Sequence, residues 1–280
     1  MTVLEVLQAT TAYFQRHNIE NPRLNAEHLL ADALRRKRIE LYLEFDRELS
    51  ESELAPLREL VGRRAEGEPL QHLLGTVEFC GLTFLSDRRA MVPRPETEQL
   101  VELLISDFES KLSNARIVDV GTGSGVIALS LAAKFPEAEI LAVDISDDAL
   151  ALAKQNATNL DLGDRVRFVK SNLLENVEGN FHLVVANLPY ISTKARHTLS
   201  REVLHDPETS LFAGARGDEI MDELITQAPD RLQPDGLLAL EIGIDQNEAL
   251  LSVLAEKKYH DISSKNDYSG VTRFLFAQYG

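Results

Sequence analysis

From about residue 116 onward the chain alternates short apolar runs with longer amphipathic segments, and few architectures accept that alternation. Ile117-Val118 and Leu183-Val184-Val185-Ala186 are nearly continuous apolar runs, as expected of strands buried on both faces of a parallel sheet. The pattern predicts strands at 116–120, 139–144, 165–169, 181–186, 236–242, 259–265 and 271–278. Helices are expected at 96–112, 124–134, 147–159, 218–232 and 245–258. Strands that alternate with helices predict an α/β fold with a doubly wound, Rossmann-like sheet.

The first 66 residues read differently. Val3, Leu4, Leu7 and Phe14 fall near helical spacing, and Asn21-Pro22 suits a helix start, with Asn as cap and Pro at the first helical position. Ser50 and Glu53 fit a capping box for a helix through about Ala65. Arg35-Arg36-Lys37-Arg38 reads as a helix C-terminus complementing the dipole. Residues 67–97 carry three Pro, three Gly and two strand-like runs, Thr76–Cys80 and Leu82–Ser86, which suggest a hairpin. The expected division is therefore a helical domain at 1–66, a linker with a β-hairpin at 67–97 and a second domain at 98–280.

Charge narrows the partners. The chain of 280 residues has 29 Lys+Arg against 45 Asp+Glu, a net charge of −16. Residues 1–90 hold 12 Lys+Arg and 15 Asp+Glu, so most of the excess lies after residue 90. Such a surface repels phosphate backbones, and no Lys/Arg cluster with interleaved aromatics offsets it. Direct nucleic-acid binding is not expected. No segment has the roughly 18 apolar residues of a membrane span, and the N-terminus does not read as a signal peptide. Cys80 is the only cysteine, which rules out an intrachain disulfide, fits a reducing cytoplasm and suggests a buried strand position. The seven His show no metal-ligand spacing, so no metal site is expected.

The segment Asp119-Val120-Gly121-Thr122-Gly123-Ser124-Gly125 ends one strand and opens a helix. Glycines there let the backbone turn sharply and approach a ligand. Asp144 ends the next strand, where a carboxylate can accept both hydroxyls of a ribose. These residues alone suit either a nicotinamide dinucleotide or S-adenosylmethionine. After the third strand, Asn172 is placed to hydrogen-bond an adenine and Leu173 to cover its face.

The fourth strand runs into Asn187-Leu188-Pro189-Tyr190, where ligands of doubly wound sheets bind. An amide or exocyclic amine nitrogen is a poor nucleophile because its lone pair is delocalised. A site that methylates it should accept hydrogen bonds from both N–H groups. Asn187 Oδ1 can accept one and the Leu188 carbonyl the other, aimed by the restriction Pro189 imposes. Tyr190 can pack flat against the planar amide. Catalysis would then come from positioning and preorganised dipoles.

With these residues the chain resembles class I S-adenosylmethionine-dependent methyltransferases, and more narrowly the release factor glutamine N5-methyltransferase family. The resemblance also covers Glu68–Gly75, Pro93-Arg94-Pro95-Glu96-Thr97-Glu98, Asp206-Pro207-Glu208 with Leu211 and Gly214, and Asp267-Tyr268 before Arg273. It implies a seven-stranded sheet whose last strand is antiparallel. It implies Gly121, Thr122, Gly123, Ser124, Gly125, Asp144, Asn172, Leu173 and Asn187 at the cofactor, with Thr97 near its methionine end. It implies Asn187, Leu188, Pro189 and Tyr190 at the substrate. The substrate it implies is the glutamine of the Gly-Gly-Gln motif in class-1 peptide chain release factors, docked by the N-terminal helices. Two positions depart from the family's pattern. Leu188 stands where a Pro is usual, which keeps the carbonyl but loosens the backbone. Leu173 stands where an aromatic is frequent, which keeps apolar contact but loses stacking.

Two rival functions use the same features: an adenine-N6 nucleic-acid methyltransferase, which shares the tetrapeptide, and a non-catalytic cofactor-binding module. Among the remaining polar residues, Arg94 and Glu96 read as an internal ion pair bracing the linker or as a lining of the active-site entrance, His205 and Asp206 as a surface hydrogen bond or a functional pair near the substrate, and Glu208 as a structural residue or loop anchor.

Overall fold

The computed structural model describes residues Met1–Gly280. The chain forms two compact units, Met1–Thr76 with Ser200–His205, and Val77–Leu199 with Asp206–Gly280.

The first unit is helical: α1 (Val3–Arg16), α2 (Pro22–Ala33), α3 (Arg38–Leu43), α4 (Glu51–Ala65) and α5 (Leu70–Leu74). Leu7 and Phe14 of α1 join Leu29, Leu30, Leu41 and Leu57 in one core. Glu53 reaches back to the Ser50 N–H at 2.9 Å, as the capping-box pattern anticipates. Asn21 does not cap with its side chain. It sits in the left-handed region at φ 47°, and its carbonyl accepts from the Asn25 N–H, so Pro22 alone marks the helix start. The basic cluster begins at a helix end, as expected: Arg35 and Arg36 follow the Leu34 C-cap of α2, and their N–H groups donate to the Asp32 and Ala31 carbonyls at 2.9 and 2.8 Å. Arg35, at φ 53°, is the left-handed residue that closes α2, and Lys37 is already the N-cap of α3. Arg38 instead turns to the buried Glu27 carboxylate at 3.1 Å, which also accepts from Tyr42 Oη at 2.6 Å and Arg23 at 2.7 Å. Ser200–His205 joins this unit because buried Arg64 pairs with Glu202 at 2.6 Å.

The second unit opens with the hairpin β1 (Thr76–Phe79) and β2 (Leu82–Leu85). Cys80 is in its turn rather than on a strand: Cys80 at φ 48° and Gly81 at φ 74° form the two-residue connection that a right-twisted hairpin favours. Then follow α6 (Pro95–Leu112), β3 (Arg116–Val120), α7 (Val126–Lys134), β4 (Glu139–Asp144), α8 (Asp147–Asn159), β5 (Val166–Lys170) and β6 (Phe181–Asn187). A short parallel pair, β7 (Ile191–Ser192) and β8 (Phe212–Gly214), brackets three 3₁₀ turns. The chain closes with α9 (Glu219–Gln227), β9 (Leu232–Glu241), α10 (Asn247–Glu256), β10 (Tyr259–Asn266) and β11 (Thr272–Tyr279). The helix expected at 218–232 stops short because Pro229 lies in a 3₁₀ turn over Ala228–Asp230.

The seven-stranded sheet has the order β10-β11-β9-β6-β3-β4-β5. Pairing is parallel from β5 through β9, and the final strand β11 runs antiparallel between β9 and β10. The α/β expectation holds, including the antiparallel last strand. Neighbouring residues face opposite cores, as a pleat requires. Ile117, Leu183 and Val185 pack with α6, α7 and α8, whereas Val118, Val184 and Ala186 pack with α9 and α10. No helix is long and apolar enough to cross a membrane.

Candidate active site

Beyond the carboxyl ends of β3, β4, β5 and β6 lies a cavity of about 320 Å³, within the usual range of small-molecule sites. Gly121, Thr122, Gly123, Ser124, Asp144, Asn172, Leu173, Asn187, Leu188 and Pro189 all line it. The sequence motifs therefore converge in space. Two residues of the expected set stand back from it. Gly125, the N-cap of α7 at φ 86°, packs against α8: a Cβ there would meet Ala153 Cβ at 3.1 Å. Tyr190 also lies outside the lining. Its ring packs beside Gly243, where a Cβ would come within 3.1 Å of Tyr190 Cδ2. Gln246 Nε2 clamps its carbonyl at 3.1 Å and the Gly217 carbonyl at 2.8 Å.

The glycine loop is pinned from several sides. Gly121 and Thr122 N–H groups both donate to the Val143 carbonyl at 2.9 Å. Asp119, fully buried in β3, accepts from Thr122 Oγ1 at 2.6 Å and the Ala128 N–H at 3.1 Å. Burial pushes its carboxyl up to about 7, against those two hydrogen bonds. Buried Asn156 accepts from the Leu85 N–H at 2.7 Å and donates to the Ser124 carbonyl at 2.9 Å, tying the hairpin to the loop. Gly121 is at φ 73°, and a Cβ on it would sit 2.7 Å from Leu188 Cδ2. The Leu188 side chain thus fills the place a Cβ on Gly121 would take.

Asp144 accepts from the Gly123 N–H at 2.9 Å and the Ser146 N–H at 2.8 Å. Burial raises its carboxyl, while these backbone donors act the other way. A carboxylate offers about four lone-pair sites, so capacity remains for two ligand hydroxyls. Ser146 caps α8, accepting from the Ala149 N–H at 3.2 Å. Asn172 Nδ2 is bound to Glu175 at 2.9 Å, and Leu173 is buried in the left-handed region at φ 47°.

At the end of β6, Asn187 Nδ2 donates to Thr97 Oγ1 at 2.8 Å, and Thr97 Oγ1 donates to Glu241 Oε2 at 2.7 Å. Thr97 also lines the cavity. Glu241 is nearly sealed from solvent at 1 % exposure, and burial pushes its carboxyl up to about 7. Arg94 makes no ion pair with Glu96. Its guanidinium binds Asp206 at 2.6 Å because that carboxylate is buried and also accepts from the Val92 N–H. Asp206 is therefore an interior anchor rather than a surface group. Glu208 pairs with Arg196. No group of three or more His, Cys, Asp or Glu side chains converges to hold a metal ion.

Comparison with known proteins agrees with this geometry. Residues 5–75 match the PrmC N-terminal domain family, and residues 93–216 match the methyltransferase small domain family. The release factor glutamine methyltransferase of Geobacter sulfurreducens is 37% identical over 281 residues, covering 100% of this chain and 97% of that one. That of Rhodopirellula baltica is 38% identical, covering 99% and 96%. This chain belongs to the release factor glutamine methyltransferase family.

Solved structures place the family's sheet among methyltransferases more widely. The ribosomal protein L11 methylase of Lactobacillus delbrueckii subsp. bulgaricus is 26% identical at a TM-score of 0.51, covering 67% of this chain and 81% of that one. A T. thermophilus 16S rRNA N2 G1207 methyltransferase, in complex with AdoMet and guanosine, is 18% identical at a TM-score of 0.55, covering 73% and 50%. The second of these is a likeness of fold. Asp119 stood in the glycine-loop segment without a role of its own, and Asn156 and Glu241 escaped the motif reading. Asp119 and Glu241 did leave a signal, a carboxylate inside or at the end of an apolar run, Ile117–Val120 and Leu237–Leu240. Asn156 left none, because an Asn on a helix gives no hint of a partner 71 residues away.

Proposed function

We propose that this protein transfers a methyl group from S-adenosylmethionine to the side-chain amide nitrogen of the glutamine in the Gly-Gly-Gln motif of a class-1 peptide chain release factor. The observation that carries the reading is Asn187. Its Nδ2 is engaged with Thr97, which leaves Oδ1 as an acceptor at the cavity.

The residues fit the cofactor. The Gly121–Ser124 backbone cradle lining the cavity suits the methionine portion, the remaining lone pairs of Asp144 suit the ribose hydroxyls, and Asn172 and Leu173 flank the adenine. Gly125 lets α7 start close behind that cradle. When bound, S-adenosylmethionine supplies an electrophilic methyl group on a sulfonium. Asn187 Oδ1 and the Leu188 carbonyl accept the two amide N–H bonds of the substrate glutamine. Pro189 restricts the Leu188 backbone. The amide nitrogen would be held in line for attack on that methyl group, the C–N bond forming as the methyl–sulfur bond breaks and leaves a neutral thioether, and the amide proton would then pass to water. Positioning and fixed dipoles supply the rate.

The charge pattern supports a protein amide over an adenine flanked by phosphates, since the acidic excess surrounds the catalytic unit. The lone Cys80 and a substrate from translation support a cytoplasmic setting. The helical unit is the docking surface for the release factor. Mass spectrometry of a release factor incubated with enzyme and S-adenosylmethionine tests the reading. A single added methyl on the motif glutamine is expected, lost with Asn187→Ala while cofactor binding persists. An unmodified glutamine with wild-type enzyme rejects it.

A further inference from the structure

We propose that Thr97 and Glu241 are positioning residues that set which way round the Asn187 amide sits, with its Nδ2 held by the protein and its Oδ1 kept for the substrate. The inference rests on the methyl-transfer reading above and adds the device that makes Asn187 an acceptor.

The two ends of an Asn amide have nearly the same shape but opposite hydrogen-bonding character. A substrate amide that must give up two N–H bonds needs the oxygen end. Presented with the NH₂ end, it meets a donor facing a donor. Apolar packing cannot make this choice, because it does not distinguish oxygen from nitrogen. A chain of donors and acceptors with a defined direction can.

Glu241 starts that chain. An ionised carboxylate only accepts, so the single Thr97 hydroxyl hydrogen is committed to Glu241 Oε2 at 2.7 Å. Thr97 Oγ1 can then only accept from Asn187, and the 2.8 Å contact is with Nδ2. The scaffold fixes all three members. Asn187 and Glu241 are register partners in adjacent parallel strands β6 and β9, and Thr97 arrives on the first turn of α6. Thr97 is 3 % exposed and Glu241 1 % exposed, so water does not compete for these bonds. The other charged or titratable groups facing Glu241 are Glu96 on α6, Arg273 on β11 and Tyr190 beyond β6. Burial is the dominant cause of the rise of the Glu241 carboxyl to about 7, Glu96 adds to it, and the Thr97 hydroxyl, Arg273 and the Asn187 amide, which also approaches this carboxylate, act the other way. Protonation gives Glu241 a hydrogen to donate, which frees the Thr97 hydroxyl to turn toward Asn187 and reverses the chain.

Two independent measurements test the idea. In steady-state methylation of a release factor, Thr97→Val should lower kcat on the order of 100-fold, the scale of a misplaced group, with the cofactor Kd changed by less than about threefold. Thr97→Ser, which keeps the hydroxyl, should recover most of kcat. Wild-type kcat in a folded Thr97→Val enzyme overturns the proposal. The second measurement needs no turnover: the Asn187 side-chain NH₂ pair, assigned by its loss in Asn187→Asp, is followed by NMR. It should shift in Thr97→Val and move with pH near neutrality, and Glu241→Gln should abolish that movement. An Asn187 NH₂ pair that ignores both Thr97→Val and pH overturns the proposal as well. A wild-type enzyme that methylates no release factor counts against the substrate reading, and the NMR result then decides the positioning role alone.

Discussion

Arg94 Nη2 lies 2.6 Å from Asp206 Oδ2, while the other oxygen of the same carboxylate accepts from the Val92 N–H at 3.1 Å. The Asp206 side chain is fully buried and Arg94 is 28 % exposed, so the arginine reaches inward to an interior charge. The pair joins two stretches that frame the cavity, one through Pro93 and the other through Pro207. Arg94→Ala should cost about 1–3 kcal/mol of stability, the usual penalty for removing a partner from a buried polar group. It should also weaken the cofactor, because both frames lose their tie. Arg94→Lys should recover only part, since an ammonium lacks the planar fork. Thermal melts and calorimetric titration of S-adenosylmethionine check both effects. Unchanged cofactor affinity in a destabilised Arg94→Ala enzyme would separate the pair from the site.

Gly121 offers a sharper test of the cradle. At φ 73° any side chain is strained by roughly 1–2 kcal/mol, and its Cβ would collide with Leu188 Cδ2 at 2.7 Å. Gly121→Ala should raise the cofactor Kd at least about tenfold, because 1.4 kcal/mol is a factor of ten. Gly125→Ala should act differently. Its Cβ meets Ala153 and Leu129, so the cost should fall on the melting temperature more than on affinity. Equal losses of affinity in both variants would argue against a cradle at Gly121.

Stability should fall as pH rises toward neutrality. Asp119 and Glu241 are both held up to about 7 by burial, against ordinary values of 3.8 and 4.5. Between those limits the folded protein keeps protons that the unfolded chain has released. Unfolding therefore becomes easier with increasing pH across about 4.5 to 7, and the stabilisation is fully present only below that window. The carboxyls lowered to about 2, Glu53 and Glu219, act only below the same window. An asparagine in place of Asp119 can still accept from Thr122 and Ala128 without a titrating charge. The urea midpoint of the wild type should drop between pH 5 and pH 8, and Asp119→Asn should flatten the drop. Identical pH slopes would remove Asp119 as a cause.

The parts of this molecule that were readable in the sequence are those built from local patterning. Apolar runs mark β3, β4 and β6 because each is sealed on both faces, and the glycine loop and Asn187 fall at strand ends, where this fold binds ligands. What escaped depends on partners far apart in the chain. Arg94 chose Asp206 over the nearby Glu96 because the interior carboxylate is the costlier one to leave unpaired. Ser200–His205 joins the helical unit through Arg64 and Glu202, a pairing no periodicity announces. Cys80 left its strand because a two-residue hairpin needs two positive φ angles, and the Gly81 signal covers only one of them.

Leu188 separates the roles of side chain and backbone in the tetrapeptide. Its side chain is buried at 5 % exposure and packs with the core beneath the sheet, close to Gly121. Its proposed catalytic contribution is the main-chain carbonyl, which every residue type supplies. Leu188→Ala should therefore cost about 2–5 kcal/mol of stability and loosen the cradle wall. Transfer at saturating cofactor should survive, with kcat within about threefold, because the carbonyl remains and a threefold change is well under 1.4 kcal/mol. Leu188→Pro tests the complementary property. It trims the same apolar side chain but stiffens the backbone that aims the carbonyl, so its kcat should match or exceed that of Leu188→Ala at similar stability. Stopped-flow transfer rates alongside denaturant melts distinguish the two. A folded Leu188→Ala enzyme that binds cofactor yet transfers a hundredfold more slowly would move the catalytic role from the carbonyl to the side chain.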